Sequence, residues 1–352
     1  MTILVTGGCG FIGSHFINDY LTQSPMVNLD NLSYAANPQA LQAVQGHADY
    51  HFVQADVADE QALAAVFAQY KISAVVHFAA QTHVDRSIDD VGPFMHSNVH
   101  GTVALLKQSQ EYYQGLSVEE QAKFRLLYVS TDEVYGSLSE QATPFSERDP
   151  VCARNPYSAS KAAAEQFVLA WYNTYQLPVL ISRCGNNYGP YQHTEKLIPK
   201  LFQQALECQP LPIYGDGQQV RDWIYVKDHC AALWHILKHG QAGEIYNISA
   251  QEERTNLQIA QLICDFLDNK PGLALGVTEG LSHGHVHSAV YGLALGSVHR
   301  SYRDLVQFVT DRPGHDRRYA LNIDKLAQLG WQPQYSFTQG MQETLEAYWQ
   351  AA

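Results

Sequence analysis

The sequence predicts an α/β protein: a doubly wound parallel sheet followed by a smaller α/β lobe. Three observations carry this. Short apolar runs alternate with amphipathic stretches through the first half. A glycine-rich turn follows the first run and opens a helical pattern. From about Tyr188 the alternation gives way to prolines, a Gly215-Asp216-Gly217 turn and aromatic residues. At 352 residues the chain has the length of two domains, or of one large domain carrying a lobe.

The apolar runs are Ile3-Val5, Val27-Leu29, Tyr50-Val53, Ala74-Phe78 and Leu126-Val129, and the helical segments between them include Gly13-Leu21, Gln61-Gln69 and Val99-Tyr113. Short apolar runs separated by helices fit strands covered on both faces, hence a parallel sheet. Val179-Ile181 and Gly243-Ile248 read as later strands, Val226-Leu237 and Asn256-Leu267 as later helices. The expected main domain is 1–187, with segments of about 220–250 returning to its sheet, and 188–352 forms most of the interleaved lobe.

Composition narrows the functional classes. The chain is 46% hydrophobic and 16% charged, ample for a sizeable core. A net charge of −13 argues against a broad surface for nucleic acid or anionic membrane. It leaves room for a phosphate ligand held by a few basic groups and a helix N-terminus. The six cysteines form no C-x-x-C pair and no zinc spacing, which reads as reduced thiols in a cytosolic protein. The chain opens on a strand, so no secretory leader is expected, and no apolar run reaches membrane-spanning length. Gly272-Leu273-Ala274-Leu275-Gly276 nearly recurs as Gly292-Leu293-Ala294-Leu295-Gly296, with His283-Gly284-His285-Val286-His287 between. Alternating histidines can chelate a metal, but no carboxylate or cysteine set accompanies them, so a surface loop and no metal is expected.

Gly7, Gly10 and Gly13 make a G-x-x-G-x-x-G turn between the first strand and its helix. Without Cβ atoms the backbone can approach a pyrophosphate, and the helix start at Phe11 and Ile12 offers free N–H donors. A glycine-rich turn alone is usually only a turn; the strand before it and the helix after it give it meaning. Asp30 closes the second run, where a carboxylate accepts hydrogen bonds from ribose hydroxyls and repels a 2′-phosphate. Asn31, Leu32 and Ser33 follow without a positive charge, which favours NAD over NADP. Asp56-Val57 closes the third run and is placed to flank an adenine ring. Phe78-Ala79-Ala80 closes the fourth, where small residues let a cofactor lie close.

Thr131, Asp132 and Glu133 follow the Leu126-Val129 run, at a strand end where open α/β sheets place their chemistry. Downstream, Tyr157 and Lys161 stand four apart on one helix face. A nearby ammonium favours the charged form of a phenol, whose ordinary pKa is about 10. Lys161 is therefore expected to help make Tyr157 a base near neutral pH and to hold a ribose. Tyr-x-x-x-Lys is common in helices; the upstream turn and strand end single this one out.

Together these motifs resemble the extended short-chain dehydrogenase/reductases, and Thr131-Asp132-Glu133 resembles the dTDP-glucose 4,6-dehydratases among them. The resemblance continues through Thr82-His83-Val84-Asp85-Arg86-Ser87, Asn186 to Tyr191, Glu195 to Pro199, Pro212 to Gly217, Arg221-Asp222-Trp223 and Asp311 to Asp316, covering nearly the whole chain. It implies a Rossmann-like NAD-binding sheet with a smaller C-terminal substrate-binding lobe, and a homodimer through helices including Val99-Tyr113 and Tyr157-Tyr175. It implies further NAD contacts from Ser97 and Asn187. In the implied reaction Tyr157 serves C4 oxidation of a nucleoside-diphosphate hexose, Glu133 takes the C5 proton and Asp132 protonates the C6 oxygen. Thr131 bonds the C4 oxygen. Two neighbouring carboxyls in different protonation states suit such a division. The implied substrate clamp is Thr82, Thr131, Asn186, Lys196, Leu197, Pro212, Ile213, Tyr214, Arg221, Asn256, Asp311, Arg312, Pro313, Gly314 and His315. Thymidine and uridine nucleotides both suit these residues; the resemblance implies dTDP-glucose.

The sequence departs from that family in three places. Gln81 stands where a Glu is general, removing a charge but keeping a hydrogen-bonding group. Arg183 precedes Cys184-Gly185, either near substrate or in a packing role. The Lys270–Arg300 segment is longer than usual and is expected to extrude as a loop. An epimerase or decarboxylase would share the fold, NAD, Tyr157 and Lys161; the acidic pair separates them. A catalytically idle NAD-binding relative would have lost part of the Thr131, Asp132, Glu133, Tyr157 and Lys161 set, which here is whole.

Overall fold

The computed structural model describes residues 2–270 and 301–352. The near-repeat and its histidines lie outside the described residues. Twelve strands are described: β1 (Thr2–Thr6), β2 (Met26–Asp30), β3 (Tyr50–Gln54), β4 (Ile72–His77), β5 (Arg125–Thr131), β6 (Val179–Cys184), β7 (Asn186–Tyr188), β8 (Leu211–Tyr214), β9 (Val220–Tyr225), β10 (Ile245–Ile248), β11 (Glu253–Thr255) and β12 (Val306–Val309). Seven form one parallel sheet in the order β10-β6-β5-β4-β1-β2-β3. The chain runs outward from β1 to β3, then returns to β4 on the other side. That reversal opens a crevice at the carboxyl ends of β1 and β4, where such sheets bind ligands.

The main helices are α1 (Phe11–Tyr20), α2 (Glu60–Gln69), α3 (Gly101–Gln114), α4 (Pro156–Tyr175), α5 (Leu197–Leu206), α6 (Val226–His239), α7 (Asn256–Asp268) and α8 (Phe337–Ala351). Strand alternation divides the sheet's side chains between two faces. Leu4, Leu126 and Tyr128 join the cluster with α2, α3 and α4. Ile3, Val5, Leu127 and Val129 join the cluster with α1 and α6. Each fully buried aliphatic side chain here contributes roughly 1.5–3 kcal/mol. Local signals set the helix starts. Asp59 accepts the Gln61 and Ala62 amides, and Asn155 accepts the Ser158 amide with Pro156 as the first helical residue.

The sequence starts a helix at Val99. The structure instead runs a π-helical turn through Met95–His100 into α3. The wider turn brings Ser97 to the crevice and Asn98 against Ser160.

The lobe holds two small sheets. β7 and β11 flank β9, and β8 pairs with β12. Of the residues about 220–250 expected to return to the main sheet, β10 pairs there with β6, whereas β9 pairs with β7 and β11 in the lobe; no strand was expected over 211–214. β8 is four residues long, carries Pro212, and pairs with a segment far along the chain, so no local signal marked it. Ile198, Phe202, Ile259, Ile263, Met341 and Leu345 of the lobe belong to the same cluster as α1 and α6. Lobe and sheet therefore share one core.

Arg183 points to the opposite face of the sheet, the side of Val179, Ile181 and α4. It is 2% exposed; its Nη2 donates to Glu165 Oε2 at 2.6 Å, and its guanidinium lies 4.5 Å from the Tyr135 ring. Arg183 is therefore a packing residue. Arg183→Ala leaves Glu165 buried and unpaired and should cost about 3–5 kcal/mol in urea unfolding, whereas replacing both by apolar residues of similar volume should cost far less.

Candidate active site

One cavity runs along the carboxyl ends of β1, β2, β4, β5 and β6, and the glycine turn forms its floor. Gly7 has φ +72°, and a Cβ there would stand 2.5 Å from the Ala79 backbone nitrogen. A Cβ on Gly13 would stand 2.5 Å from the Gly7 carbonyl oxygen. Only glycine lets the turn pass this close to the exit of β4. Gly10 starts α1 without a side-chain cap, and no acidic residue occupies the first turn. The amides of Phe11, Ile12 and Gly13 there suit an anion.

Asp30 is 7% exposed at the cavity edge. Its Oδ2 accepts the Cys9 amide at 2.9 Å and its Oδ1 the Leu32 amide at 2.8 Å; burial pushes its carboxyl upward. Asn31, Ser33, Val57, Phe78, Ala79, Ala80, Ser97 and Asn187 line the same cavity. Leu32 and Asp56 are not among its lining residues. Leu32 takes φ 56° and packs against the hydrophobic core instead. Asp56 accepts Asn31 Nδ2 at 3.0 Å and the Ala58 amide at 2.8 Å, so it positions Asn31, which does line the cavity. The anion-suited helix start, the carboxylate and the absence of a cation among Asp30, Asn31 and Ser33 fit a dinucleotide without an extra phosphate.

Thr131, Asp132, Glu133, Tyr157 and Lys161 line the far part of this cavity. Thr131 Oγ1 accepts the Glu133 amide at 3.3 Å and donates to Asp132 Oδ1 at 3.2 Å. Asp132 is 3% exposed, and its Oδ2 has no partner. Burial first, then the charges of Glu133 and Asp222, push its carboxyl well above the usual range. Glu133 is half-buried, and its Oε2 accepts Ser158 Oγ at 3.2 Å and Asn155 Nδ2 at 3.4 Å. The two adjacent carboxyls thus meet opposite surroundings: one is desolvated, the other supplied with donors.

Tyr157 differs from the sequence expectation. Burial, then the charge of Glu133, push its phenol well above the ordinary value, with the Thr131 hydroxyl acting in the opposite sense. Lys161 Nζ donates to the Val129 carbonyl at 2.7 Å and sits 4.3 Å from the Tyr128 ring centre; burial lowers it to about 8. In this buried setting desolvation of a phenolate outweighs an ammonium one helical turn away.

A second cavity opens against the first and shares Thr82, Glu133, Asn186, His193, Glu195 and Lys196 with it. Leu197, Pro212, Ile213, Tyr214, Arg221, Asn256, Arg312 and His315 line its far wall. Arg221 is 5% exposed, donates to the Val220 and Asp316 carbonyls at 2.8 and 3.0 Å, and stacks on Tyr319 at 4.4 Å. Asn186 Oδ1 and Arg312 Nε are buried polar atoms without a protein partner. Asp311, Pro313 and Gly314 do not line the wall. Asp311 meets His315 Nδ1 at 2.6 Å and so orients that ring, while Gly314 makes the turn at φ 67°.

Several participants escaped the sequence reading. Asn155 and Ser158 reach Glu133. Asn98 brackets the Gln81 backbone with bonds of 2.8 and 3.0 Å while the Gln81 residue lines the first cavity. Glu195 joins Tyr34 at 2.9 Å to Arg86 at 3.1 Å where the cavities meet. Asn155-Pro156 was a readable helix-start signal, but its reach to Glu133 was not. Glu195 fell within the resemblance, but its bonds to Tyr34 and Arg86 carried no local signal, because those partners lie far away in sequence.

A doubly wound sheet with a glycine turn at its switch point and a Tyr-x-x-x-Lys helix beside it defines a protein of the short-chain dehydrogenase/reductase class. More narrowly, the chain belongs to the family described as GDP-mannose 4,6 dehydratase, which it matches over residues 4–344. A dTDP-glucose 4,6-dehydratase of Haemophilus influenzae is 44% identical over 351 residues, spanning 99% of this chain and 98% of that protein. The dTDP-glucose 4,6-dehydratase of Bacillus anthracis, solved in complex with NAD, superposes with TM-score 0.81 at 39% identity, covering 99% of this chain and 97% of that one. The Streptomyces venezuelae dTDP-glucose 4,6-dehydratase, also solved with NAD, gives TM-score 0.84 at 37% identity with the same coverage.

The raised Asp132 carboxyl has a consequence for stability. The folded chain holds this proton above the unfolded value of about 3.9, so it loses stability as pH rises through that window. Asn does not ionise. Asp132→Asn should match the parent near about pH 4 and become progressively more stable than it toward about pH 7 in urea unfolding. A gap that closes with rising pH would contradict the assignment.

Proposed function

We propose that this chain converts dTDP-glucose to dTDP-4-keto-6-deoxyglucose as an NAD-dependent hydro-lyase. The observation that carries the reading is the unlike carboxyl pair in the first cavity with Tyr157: Asp132 is desolvated, and Glu133 is supplied with donors where the two cavities meet. NAD, when bound, supplies a hydride acceptor and a positive charge beside Tyr157. The turn from Gly7 to Gly13 and Asp30 would hold its diphosphate and ribose, and Lys161 its second ribose.

The positive charge that NAD brings would oppose the effects of burial and Glu133 and favour the phenolate, in which form Tyr157 would accept the C4 hydroxyl proton while Thr131 bonds the C4 oxygen. Oxidation at C4 makes the C5 hydrogen acidic. Glu133 takes that proton, and the C5–H electron pair forms the C5–C6 double bond as the C6–O bond breaks. Asp132 gives its proton to the leaving oxygen, which departs as water. With the C4 hydride given back at C6, Glu133 would return its proton to C5, and no net redox change would remain. Acid–base groups of this kind are each worth roughly 10²–10⁴-fold in rate.

In the second cavity Arg221 suits a diphosphate oxygen, and Lys196, Leu197, Pro212, Ile213 and Tyr214 bracket the nucleoside. Thr82, Asn186 and Asn256 offer neutral hydrogen bonds, and the segment from Asp311 to His315 closes the far side. This assigns residues 188–352 mostly to nucleotide-sugar binding and 1–187 to NAD. We further infer a homodimer through α3 and α4, where Phe167 and Tyr175 are exposed, and a cytosolic setting for a nucleotide-activated substrate. Among the described residues no helix is long and apolar enough to cross a membrane, and no group of three His, Cys, Asp or Glu is placed to hold a metal. A 4-epimerase would need Tyr157 and Lys161 but neither carboxyl, so the pair favours elimination.

Purified protein incubated with dTDP-glucose should release a 4-keto-6-deoxy product. Folded, NAD-loaded protein that yields none would remove the proposal. Glu133→Gln should slow C5–H exchange with solvent on the order of 10²-fold or more while C4 oxidation continues. Unchanged exchange in that variant would refute Glu133 as the C5 base.

A further inference from the structure

Glu133 and Tyr157 belong to different elements, yet one turn of backbone holds both. Asn155 caps α4, its Oδ1 accepting the Ser158 amide at 2.8 Å, and this leaves Nδ2 facing Glu133 Oε2 at 3.4 Å. Ser158 is buried, and its hydroxyl donates to the same Oε2 at 3.2 Å. The helix start does not need that hydroxyl. The Ser158 amide is capped by Asn155, the Tyr157 amide donates to Ser87 Oγ at 3.1 Å, the Ala159 amide donates to the Asn155 carbonyl at 2.9 Å, and Pro156 has no N–H. On its other side Glu133 is fixed at its amide by Thr131 Oγ1 at 3.3 Å. Glu133 Oε1 has no hydrogen-bond partner among the described residues, and Glu133 lines both cavities.

We infer that Ser158 and Asn155 are positioning residues for Glu133: they pin Oε2 to the first turn of α4 and leave Oε1 free as the atom that meets substrate. This rests on the reading of Glu133 as the C5 base. The turn also displays Tyr157, so the groups serving C4 and C5 are registered against one another by one rigid piece of backbone. Neighbouring carbons react in succession, and a displacement of about 1 Å between such groups can cost on the order of 10²-fold in rate. A purely structural account would have the two bonds only tie α4 to the turn after β5.

Two variants separate these accounts. Ser158→Ala removes one donor and leaves the backbone cap intact. Asn155→Asp keeps the capping oxygen, since Asp caps as well as Asn, and replaces the other donor with a carboxylate oxygen that repels Glu133 Oε2. Both are compared with the parent using dTDP-glucose and its C5-deuterated form. Ser158→Ala should lower kcat about tenfold, the worth of one hydrogen bond to a charged group, with KM little changed. The C5 deuterium isotope effect should grow, and reduced-nicotinamide absorbance should build up in single turnovers because C4 oxidation outruns C5 deprotonation. Asn155→Asp should shift in the same direction, and Ser158→Thr should restore turnover. An unchanged kcat in both variants, or C4 oxidation and elimination falling by equal factors, would overturn the positioning role. If the parent itself makes no 4-keto-6-deoxy product, the proposed function fails and takes this inference with it; an active parent with unaffected variants sinks the inference alone.

Discussion

No side chain fits between the first turn of the chain and the exit of β4. The 2.5 Å that a Cβ on Gly7 would leave to the Ala79 nitrogen sets how deeply that turn lies under the sheet's edge. Its consequences reach outward. A shallow turn would lift the start of α1 away from Ala79 and Ala80, and the anion-suited amides would no longer share a cavity with Thr131. The parallel sheet does the rest, because its strands β1, β2, β4, β5 and β6 all end on the same side. Asp30 from β2, Thr131 from β5 and Asn187 beyond β6 converge there although they are scattered in sequence.

The chemistry depends on a second constraint, that adjacent carboxyls must behave differently. Side by side in water, Asp132 and Glu133 would both ionise at neutral pH. Burial does the separating. Asp132 lines the cavity almost fully buried, with an unpartnered Oδ2 and the charges of Glu133 and Asp222 nearby, all of which favour its protonated form. Glu133 lies one residue nearer the open space and meets two donors. Such an arrangement costs folding stability, since a desolvated carboxyl contributes nothing favourable to the folded state at neutral pH. A protein free of catalytic demands gains by placing an apolar residue there.

Much of this was legible in the sequence, for physical reasons that differ by element. The strand–turn–helix of residues 3–21 was readable because a close backbone approach demands glycines at fixed spacing. The parallel sheet was readable because strands covered on both faces are apolar throughout. The Tyr157–Lys161 spacing was readable, but its electrostatics were not: whether an ammonium lowers a phenol depends on burial, and burial is a tertiary property. The same holds for Arg183, whose partner Glu165 lies on a helix that the sheet brings beneath it. β8 was missed because four residues including a proline leave no periodicity to detect. Asn155 was readable as a helix cap and unreadable as a donor to Glu133, because the second role exists only once β5 and α4 are packed.

The meeting of the two cavities at Glu133 explains why lobe and sheet share a single core. In the proposed reaction the groups that recognise the nucleotide, Arg221 above all, stand apart from the atoms that react. Binding energy from that remote end helps the rate only if it fixes C5 and C6 against Glu133 and Asp132. A hinge between two independent domains would dissipate it in domain motion. Here β9, which carries Arg221, runs directly into α6, and α6 packs against the main sheet in one cluster with Val129. A contact made at the diphosphate is therefore borne by the same packed body that aims the carboxyls.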